Sequence, residues 1–280
     1  MKITGIFIHP IKSCQRIERD EAEVTPKGFA QDREWMLVDG NNKFMTQRQH
    51  PQLATIQVKI NNQQLVLSVN SDNIEPFILT PKLIGNTLAV KIWRDQTIAI
   101  DQGDDVAQWF HTALQLRPDQ TCRLVKQSSD YPRLVNPNYA IQNSDRVSFA
   151  DGYPFLLTNT ASLEELNQRI YQAGDEQTAR IPMIRFRPNL VVETNQPFIE
   201  DTWKSIQIGE IKFAVVKPCD RCQITTTDQT TGERHPSLEP LKTLATFRQQ
   251  PAGIMFGQNL IPQNTGVIRM NDPLKVLEME

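Results

Sequence analysis

The chain has 280 residues, of which 39% are apolar and 22% charged, the composition of a globular protein with one large domain or two ordinary ones. A net charge of -2 excludes the basic excess typical of general nucleic-acid binding. No apolar run approaches the roughly 18 residues of a membrane span, so no membrane partner is expected. Four cysteines and the lack of a signal peptide predict a cytoplasmic protein with reduced thiols.

The first hundred residues predict short β-strands separated by polar turns. The strand candidates are rich in Val, Ile and Leu, and Asn, Asp and Gly lie between them. Strand signals at this density, with no helix among them, indicate a small barrel or sandwich. The predicted strands are residues 2–8, 34–38, 53–60, 64–69, 88–93 and 97–100.

A helical period follows at residues 104–116, where an aspartate is expected to cap an apolar stripe. The chain leaves this helix near Pro118, and we predict a domain boundary there. The N-terminal β domain would then comprise residues 1–118, and the second domain residues 119–280. Beyond the boundary, residues 128–138 are polar and contain two prolines, which predicts a surface loop.

The second half of the chain predicts strands around two further helices. One helix is expected at residues 161–172, with Ser162 and Glu165 as a capping box and Gly174 as its stop. The other is expected at residues 237–248, capped by a serine. The predicted strands are residues 155–158, 189–193, 205–208, 211–216, 223–227, 267–270 and 274–277.

Several common active-site signatures are missing from the sequence. It contains no G-x-G-x-x-G, G-x-x-x-x-G-K-[ST], H-E-x-x-H or G-x-S-x-G motif, which argues against the usual nucleotide folds, zincins and serine hydrolases. No cysteine follows Cys222. A C-terminal iron–sulfur domain, which would need a further cysteine cluster, is therefore not expected.

The sequence Cys219-Asp220-Arg221-Cys222 has C-x-x-C spacing. Zinc would need two more ligands, and His235 is the only nearby histidine. A dithiol oxidoreductase would place the motif at a helix start, whereas here it follows a predicted strand. Two interpretations stay open: a pair of buried thiols that pack as small apolar groups, and one thiolate that ligates a soft metal beside Arg221 and Lys217.

Basic residues elsewhere stand in compact groups at the ends of predicted strands, where loops build binding sites. These groups are Lys12-Ser13, Asp32-Arg33 and Arg185-Phe186-Arg187-Pro188-Asn189. Arginine presents a fork that fits phosphate or carboxylate, and lysine adds a point charge. Any one group alone is best interpreted as surface charge, but together they could hold an anionic cofactor.

These residues lead to a family resemblance that covers nearly the whole chain. Residues 217–248 closely resemble the core of MOSC-domain proteins, in particular the branch of the mitochondrial amidoxime-reducing components and the bacterial YcbX-like proteins. Other segments match family motifs in the same order: PIKSC at 10–14, DREW at 32–35, DGYPFLL at 151–157, RPN at 187–189 and FGQN at 256–259. The resemblance implies a mainly β (α+β) fold, in which a MOSC β-barrel packs with a smaller N-terminal β-barrel or sandwich and a few helices.

The resemblance also implies a molybdenum cofactor (Mo-molybdopterin) held between the two domains. Cys222 would ligate molybdenum, and Cys219 would not. Asp151 would be an acidic catalytic residue near the metal. The mitochondrial form has hydroxyl residues where Gly152 and Tyr153 stand. The residues implied to bind the pterin and its phosphate are Lys12, Ser13, Arg33, Arg187, Asn189, Arg221 and Asn259, the last in place of a tyrosine.

The activity implied is that of a molybdenum-dependent oxidoreductase. It would reduce small N-hydroxylated substrates, such as hydroxylamines, amidoximes or N-hydroxylated bases, with electrons from a separate reductase. Two alternatives remain: Cys222 could carry sulfur as a persulfide, or the protein could bind the cofactor without turnover. We interpret His9, His50 and His111 as structural or surface residues. The tryptophans are expected in the core, with Trp35 the one that could line the site.

Overall fold

The computed structural model describes residues 1–174 and 180–280 and consists mainly of β-strands, which confirms the predicted fold class. The helices in the described residues are α1 (Asp104–Ala113), α2 (Thr160–Gln172) and α3 (Leu241–Arg248), with 3-10 helices at Pro51–Thr55, Met183–Phe186, Ile199–Thr202 and Gln223–Thr226. The strands are β1 (Lys2–Ile8), β2 (Ile17–Glu18), β3 (Glu21–Thr25), β4 (Gly28–Phe29), β5 (Trp35–Asp39), β6 (Gln57–Asn61), β7 (Gln64–Ser68), β8 (Phe77–Leu79), β9 (Thr87–Ile92), β10 (Asp95–Asp101), β11 (Cys122–Gln127), β12 (Arg133–Leu134), β13 (Arg146–Val147), β14 (Phe155–Asn159), β15 (Leu190–Glu193), β16 (Trp203–Ile208), β17 (Ile211–Arg221), β18 (Gln249–Gln250), β19 (Gly253–Pro262), β20 (Gly266–Arg269) and β21 (Leu274–Met279).

The largest sheet joins the first strand of the chain to strands from its second half. Its order is β2-β1-β15-β14-β19-β17-β16-β21, and β18 pairs with β19. The pair β14–β15 is parallel, whereas β1 runs antiparallel to β15. The Phe7 amide donates to the Asn189 carbonyl at 2.9 Å, so the chain leaving β1 lies beside the chain entering β15. The domain boundary near Pro118 stays a prediction, and the β1–β15 pairing crosses it.

Smaller sheets pack around this one and enclose separate apolar clusters. They are the sheets β5-β11-β10-β9, β6-β7-β8, β20-β3-β4 and β12-β13. One cluster lies under α1 and includes Phe110 and Leu124, and a second lies inside the largest sheet and includes Phe155, Phe213 and Leu260. Each fully buried side chain of this size contributes about 1.5–3 kcal/mol. These cores hold the strand ends that carry the predicted site residues.

Several elements agree with the sequence-based predictions, among them β1, the β16–β17 hairpin, α2 and the stop at Gly174. The expected capping box is wrong. The Asn159 side chain, and not Ser162, accepts the hydrogen bond from the Ala161 amide at 3.0 Å. Ser162 is buried and donates to Glu200 at 2.7 Å, because that buried carboxylate needs hydrogen-bond donors. Helix α1 likewise has Gly103 at its N-cap, with no side-chain cap.

Three other predicted elements are wrong in part. The strand expected at residues 53–60 starts only at Gln57, because Pro51–Thr55 forms a 3-10 helix. The strand expected at residues 223–227 is also a 3-10 helix, since the Thr225 hydroxyl donates back to the Cys222 carbonyl at 3.0 Å. The last helix begins at Leu241 and not at Ser237, because Leu238 has a left-handed backbone with φ of 60°.

The loop expected at residues 128–138 holds a buried side chain, and nine of the described strands were not predicted. Arg133, in β12, is 3% exposed and donates to the carbonyls of Ser148 and Ala150 at 2.5 and 2.8 Å. The strands that were not predicted are β2, β3, β4, β8, β11, β12, β13, β18 and β19. Of these, β19 lies near the middle of the largest sheet. Among the described helices, none combines the length and apolarity needed to cross a membrane.

Candidate functional site

A pocket opens where the ends of β1, β17 and the segments entering β5, β14 and β15 come together. Its volume is about 800 Å³ with the mouth included, which suits a ligand of cofactor size. Its walls come from both halves of the sequence. The residues singled out from the sequence all line it: Lys12, Ser13, Arg33, Asp151, Arg187, Asn189, Arg221, Cys222 and Asn259. Residues far apart in the chain therefore form one site, although their chemical roles stay predictions.

Three of these residues have a left-handed backbone. The φ angles of Ser13, Arg33 and Arg187 are 71°, 50° and 54°. Non-glycine residues adopt such angles uncommonly and at an energetic cost. Conformations of this kind persist where the surroundings enforce them, and they cluster at ligand sites. The strained backbone turns the three side chains into one pocket.

Arg33 is fixed in place by protein oxygens. Its Nη1 donates to Asp32 Oδ2 at 2.6 Å and to Asn189 Oδ1 at 3.0 Å, and its Nη2 donates to the Arg187 carbonyl at 3.1 Å. The Asp32 carboxylate is in turn buried and accepts from the His9 amide at 2.7 Å. The oxygen of Asn189 is thus occupied by Arg33, so Asn189 acts on the pocket largely by orienting that arginine.

Arg187 has a buried nitrogen, Nη2, for which the described residues supply no hydrogen-bond acceptor. Its Nη1 donates to the Cys14 carbonyl at 2.9 Å and to Gln229 Oε1 at 3.1 Å. Its Nη2 is buried, and no atom within residues 1–174 and 180–280 accepts from it. Burial, followed by the neighbouring charge of Arg33, lowers the pKa of Arg187 to about 9. A bound anion would supply the missing acceptor and offset the repulsion between the two guanidinium groups.

Lys12 and Asp151 form an ion pair at the side of the pocket. Lys12 Nζ donates to Asp151 Oδ1 at 2.5 Å and to the Phe149 carbonyl at 2.8 Å. Trp93 Nε1 donates to the same carboxylate oxygen at 3.0 Å. Desolvation raises the pKa of Asp151, but the charge and hydrogen bond of Lys12 outweigh it, so that pKa lies well below its usual value. Asp151 is therefore an ionised acceptor at neutral pH.

The two thiols of the C-x-x-C sequence have different surroundings. Cys219 lies within β17, and its sulfur accepts from Arg221 Nη1 at 2.9 Å. Burial raises the pKa of the Cys219 thiol in spite of that arginine. Cys222 lies just beyond the strand, and its sulfur accepts from Arg48 Nη1 at 3.4 Å. Both thiols line the pocket, but a different arginine reaches each one.

The described residues contain no group of three or more His, Cys, Asp or Glu side chains placed to hold a metal ion. A metal bound at Cys222 would therefore take its other ligands from a cofactor and not from this part of the protein. The pocket beside Cys222 fits such a group, because it offers the Cys222 thiol and several cationic donors. Arg221 contributes one more, since its buried Nε lacks a hydrogen-bond partner among the described atoms.

Sequence reasoning missed several lining residues, among them Thr46, Arg48 and Thr225. Arg48 lies in a polar loop after a strand, the signal that marked Lys12, and could have been found in that way. Trp93 was expected in the core, yet it is 52% exposed and contacts Asp151. Trp35 is 3% exposed and packs under the Lys126 ammonium, 4.8 Å from the ring centroid.

Comparison with known proteins gives two domain matches and full-length relatives. Residues 1–117 match the MOSC N-terminal beta barrel domain, and residues 144–275 match the MOSC domain. Mitochondrial amidoxime-reducing component 1 of Mus musculus is 32% identical over 291 residues, which cover 98% of this chain and 82% of that protein. The chain belongs to the MOSC-domain family. Mitochondrial amidoxime-reducing component 1 of Homo sapiens is 31% identical to this chain, and the match again covers 98% of this chain and 82% of that protein.

A second kind of relative carries a MOSC-like region inside a longer protein. The molybdenum cofactor sulfurase of Danio rerio is 32% identical over 273 residues, which cover 94% of this chain and 32% of the sulfurase. This MOSC-domain protein therefore spans about a third of the sulfurase but most of the amidoxime-reducing component. The resemblance seen in the sequence motifs is confirmed at the level of the family.

Proposed function

We propose that this protein binds a molybdenum cofactor in the pocket and uses it to reduce N-hydroxylated compounds. The observation that carries the proposal is the unsatisfied Nη2 of Arg187, which lies beside Arg33 in the same pocket as the Cys222 thiol. An anion-binding end and a soft metal ligand in one cavity match the two ends of Mo-molybdopterin. Names of relatives that contain "amidoxime-reducing" and "molybdenum cofactor" support the same proposal.

The cationic residues would hold the phosphate and the pterin. Arg187 has the free donor for a phosphate oxygen, and Arg33 is oriented beside it by Asn189. Ser13 can add a hydroxyl from its strained turn, and Arg221 an N–H from the far wall. Charge-assisted hydrogen bonds of this kind each contribute about 1.5–3 kcal/mol.

Cys222 would be the protein's ligand to molybdenum. Its position past the end of β17, beside the 3-10 helix that follows, presents the sulfur to the pocket. Cys219 is the poorer ligand, because its raised pKa keeps the thiol protonated and Arg221 already contacts the sulfur. A thiolate, and not a thiol, ligates a metal.

When bound, the cofactor would supply the two-electron chemistry that removes the oxygen of an N–O bond. Asp151 would act as a hydrogen-bond acceptor that orients the substrate's O–H or N–H group, since its lowered pKa keeps it ionised. Lys12 holds that carboxylate in position through Oδ1. The charge of Asp151 thus serves to position the substrate and not to deliver a proton in the resting state.

The electrons would come from a separate reductase. Two of the four cysteines, Cys14 and Cys122, are buried, and the other two line the pocket. None of the four therefore belongs to a set that could hold an iron–sulfur cluster in the described part of the chain. The exposed side of Asp151 and the mouth near Trp93 leave room for a small N-hydroxylated substrate.

Turnover tests the proposal. The protein, purified from a molybdenum-sufficient host, is given an amidoxime and an artificial electron donor, and amidine formation is measured for the wild type, Cys222→Ser and Cys219→Ser. We expect turnover by the wild type, its loss in Cys222→Ser, and a milder effect of Cys219→Ser. Equal activity of wild type and Cys222→Ser would contradict the proposal. If mass spectrometry finds a labile extra sulfur on Cys222, the result would favour a sulfur carrier. If the protein contains the cofactor but shows no turnover, the result would favour a cofactor-binding protein.

A further inference from the structure

The sulfur of Cys222 has a hydrogen-bond donor that lies outside the cofactor-binding groups found in the sequence. Arg48 Nη1 lies 3.4 Å from Cys222 Sγ, although the two residues are 174 positions apart. Arg48 comes from the loop between β5 and the 3-10 helix Pro51–Thr55, and it lines the pocket. An N–H···S contact at this distance is a hydrogen bond to a soft, weak acceptor.

The guanidinium of Arg48 is held in place from behind. It stacks over the Trp93 ring, 4.3 Å from the centroid, and that indole is anchored through Nε1 to Asp151 at 3.0 Å. A cation–π contact of this kind restrains the guanidinium over the face of the ring. The backbone is fixed as well, because the Arg48 amide donates to Thr46 Oγ1 at 3.2 Å and its carbonyl accepts from Arg234 at 2.5 Å.

Arg48 differs from the other pocket cations in what its side chain contacts. Lys12 and Arg33 are paired with carboxylates, and Arg187 donates to protein oxygens. The Arg48 guanidinium has, among the described residues, the Cys222 sulfur as its one hydrogen-bond acceptor and Trp93 as its stacking partner. Its placement therefore depends on the thiol and the indole and not on an ion pair.

We propose that Arg48, clamped on Trp93, is a positioning residue that directs an N–H at the Cys222 sulfur and withdraws electron density from it. This inference rests on the proposed role of Cys222 as the metal ligand. Hydrogen bonds to a ligating cysteine sulfur raise the reduction potential of the metal, because they reduce the charge that the thiolate donates. Arg48 would thus favour the reduced state of the site.

The first test needs no cofactor. Cys222 of the apoprotein is alkylated with iodoacetate or with iodoacetamide, and trypsin cleavage after Arg221 separates its peptide from that of Cys219 for mass spectrometry. Both reagents attack the thiolate, so the ratio of their rates reports local charge and not the thiolate fraction. Arg48→Gln should lower the iodoacetate-to-iodoacetamide ratio about fourfold, as expected for one unit charge a few ångströms away. Arg48→Lys should largely keep it.

The second test uses the cofactor-loaded protein. A redox titration followed by electron paramagnetic resonance measures the molybdenum potential of the wild type, Arg48→Gln and Arg48→Lys. We expect Arg48→Gln to lower the potential by about 59 mV, a tenfold change in the one-electron equilibrium constant. The potential of Arg48→Lys should lie between those of the wild type and Arg48→Gln. Arg169→Gln is the matched control. The Arg169 guanidinium also stacks on an aromatic ring, 4.1 Å from the Phe247 centroid, but it does not line the pocket. This variant should leave the alkylation ratio and the molybdenum potential unchanged.

The outcomes separate this inference from the proposed function. If Arg48→Gln has normal molybdenum content and keeps the wild-type potential and alkylation ratio, the proposed role of Arg48 is overturned. The proposed function would then still stand. Wild-type protein without molybdenum would overturn the proposed function. In that case an unchanged alkylation ratio in Arg48→Gln would also overturn the placement of Arg48, and a lowered ratio would support it.

Discussion

Lys12 Nζ lies 2.5 Å from Asp151 Oδ1 in an ion pair between one buried and one exposed side chain. The Lys12 side chain is 8% exposed and that of Asp151 is 61% exposed. The pair links the loop after β1 to the loop before β14, two segments 139 positions apart. It places a fixed negative charge at the rim of a pocket whose other charged side chains are mostly cationic. The exposed carboxylate of Asp151 thus distinguishes the proposed substrate end of the pocket from the proposed anion-binding end around Arg33 and Arg187.

Asp151→Asn removes the charge and keeps the shape of the side chain. We expect amidoxime turnover to fall about 100-fold with unchanged molybdenum content, because loss of a group that positions the substrate costs roughly that factor. The matched control is Asp220→Asn, another pocket carboxylate, which pairs with Lys217 at 3.4 Å on the surface. Equal losses in the two variants would show that only the overall pocket charge matters.

The pKa of Arg187 predicts how anion binding depends on pH. Because that pKa is lowered to about 9 and a bound anion raises it, the apoprotein should bind inorganic phosphate less tightly as the pH rises above 9. The dissociation constant should increase by up to about tenfold per pH unit. Calorimetric titration between about pH 7 and 10, a range that brackets this pKa, measures the dissociation constant. Arg187→Gln should bind phosphate more weakly, and its dissociation constant should depend less on pH. An unchanged pH dependence would contradict the assignment.

His9 predicts a loss of stability in acid. Burial, followed by the charges of Arg33 and Arg187, lowers its pKa well below 6.5, so the folded state keeps the ring neutral. The unfolded chain binds one more proton between pH 6.5 and the folded-state pKa, and the free energy of unfolding therefore falls as the pH drops through that window. The slope from this group is about 1.4 kcal/mol per pH unit. Urea denaturation at a series of pH values gives the free energy of unfolding as a function of pH. This pH dependence should be shallower for His9→Gln than for the wild type, and an identical pH dependence would refute the assignment.

Gly257 explains why β19 was hard to predict and yields a stability test. Its φ is 79°, and a Cβ there would lie 2.6 Å from the Leu157 carbonyl oxygen of the neighbouring strand. Gly257→Ala should lower the free energy of unfolding by about 1–3 kcal/mol, the cost of a strained backbone and a displaced strand. Gly152→Ala is the control, because a Cβ at Gly152 meets nothing within 4 Å. Similar losses in both variants would contradict this account.

The sequence predicts best what depends on local pattern. Alternating apolar residues located β1 and the β16–β17 hairpin, and strand-end motifs located Lys12, Arg33 and Arg187. Strand β19 escaped because Gly257 and the polar Gln258 and Asn259 interrupt its apolar run, although all three are buried by neighbouring strands.

The missed site residues depend on tertiary contacts. Trp93 has a left-handed backbone with φ of 53° in the β9–β10 turn, and this turns its ring toward Arg48 and Asp151. No local pattern signals that placement, because it follows from the packing of one sheet against the pocket. The distinction between the two thiols is also tertiary, since it depends on which arginine reaches each sulfur.

Metal and pterin content of the purified protein tests the central claim most directly. Wild type, Cys222→Ser and Cys219→Ser are produced in a molybdenum-sufficient host, and molybdenum is measured by elemental analysis and pterin by fluorescence after oxidation. The account predicts both components in the wild type and in Cys219→Ser, and loss of molybdenum ligation in Cys222→Ser. Wild-type protein with neither component, or Cys222→Ser with unchanged ligation, would contradict it.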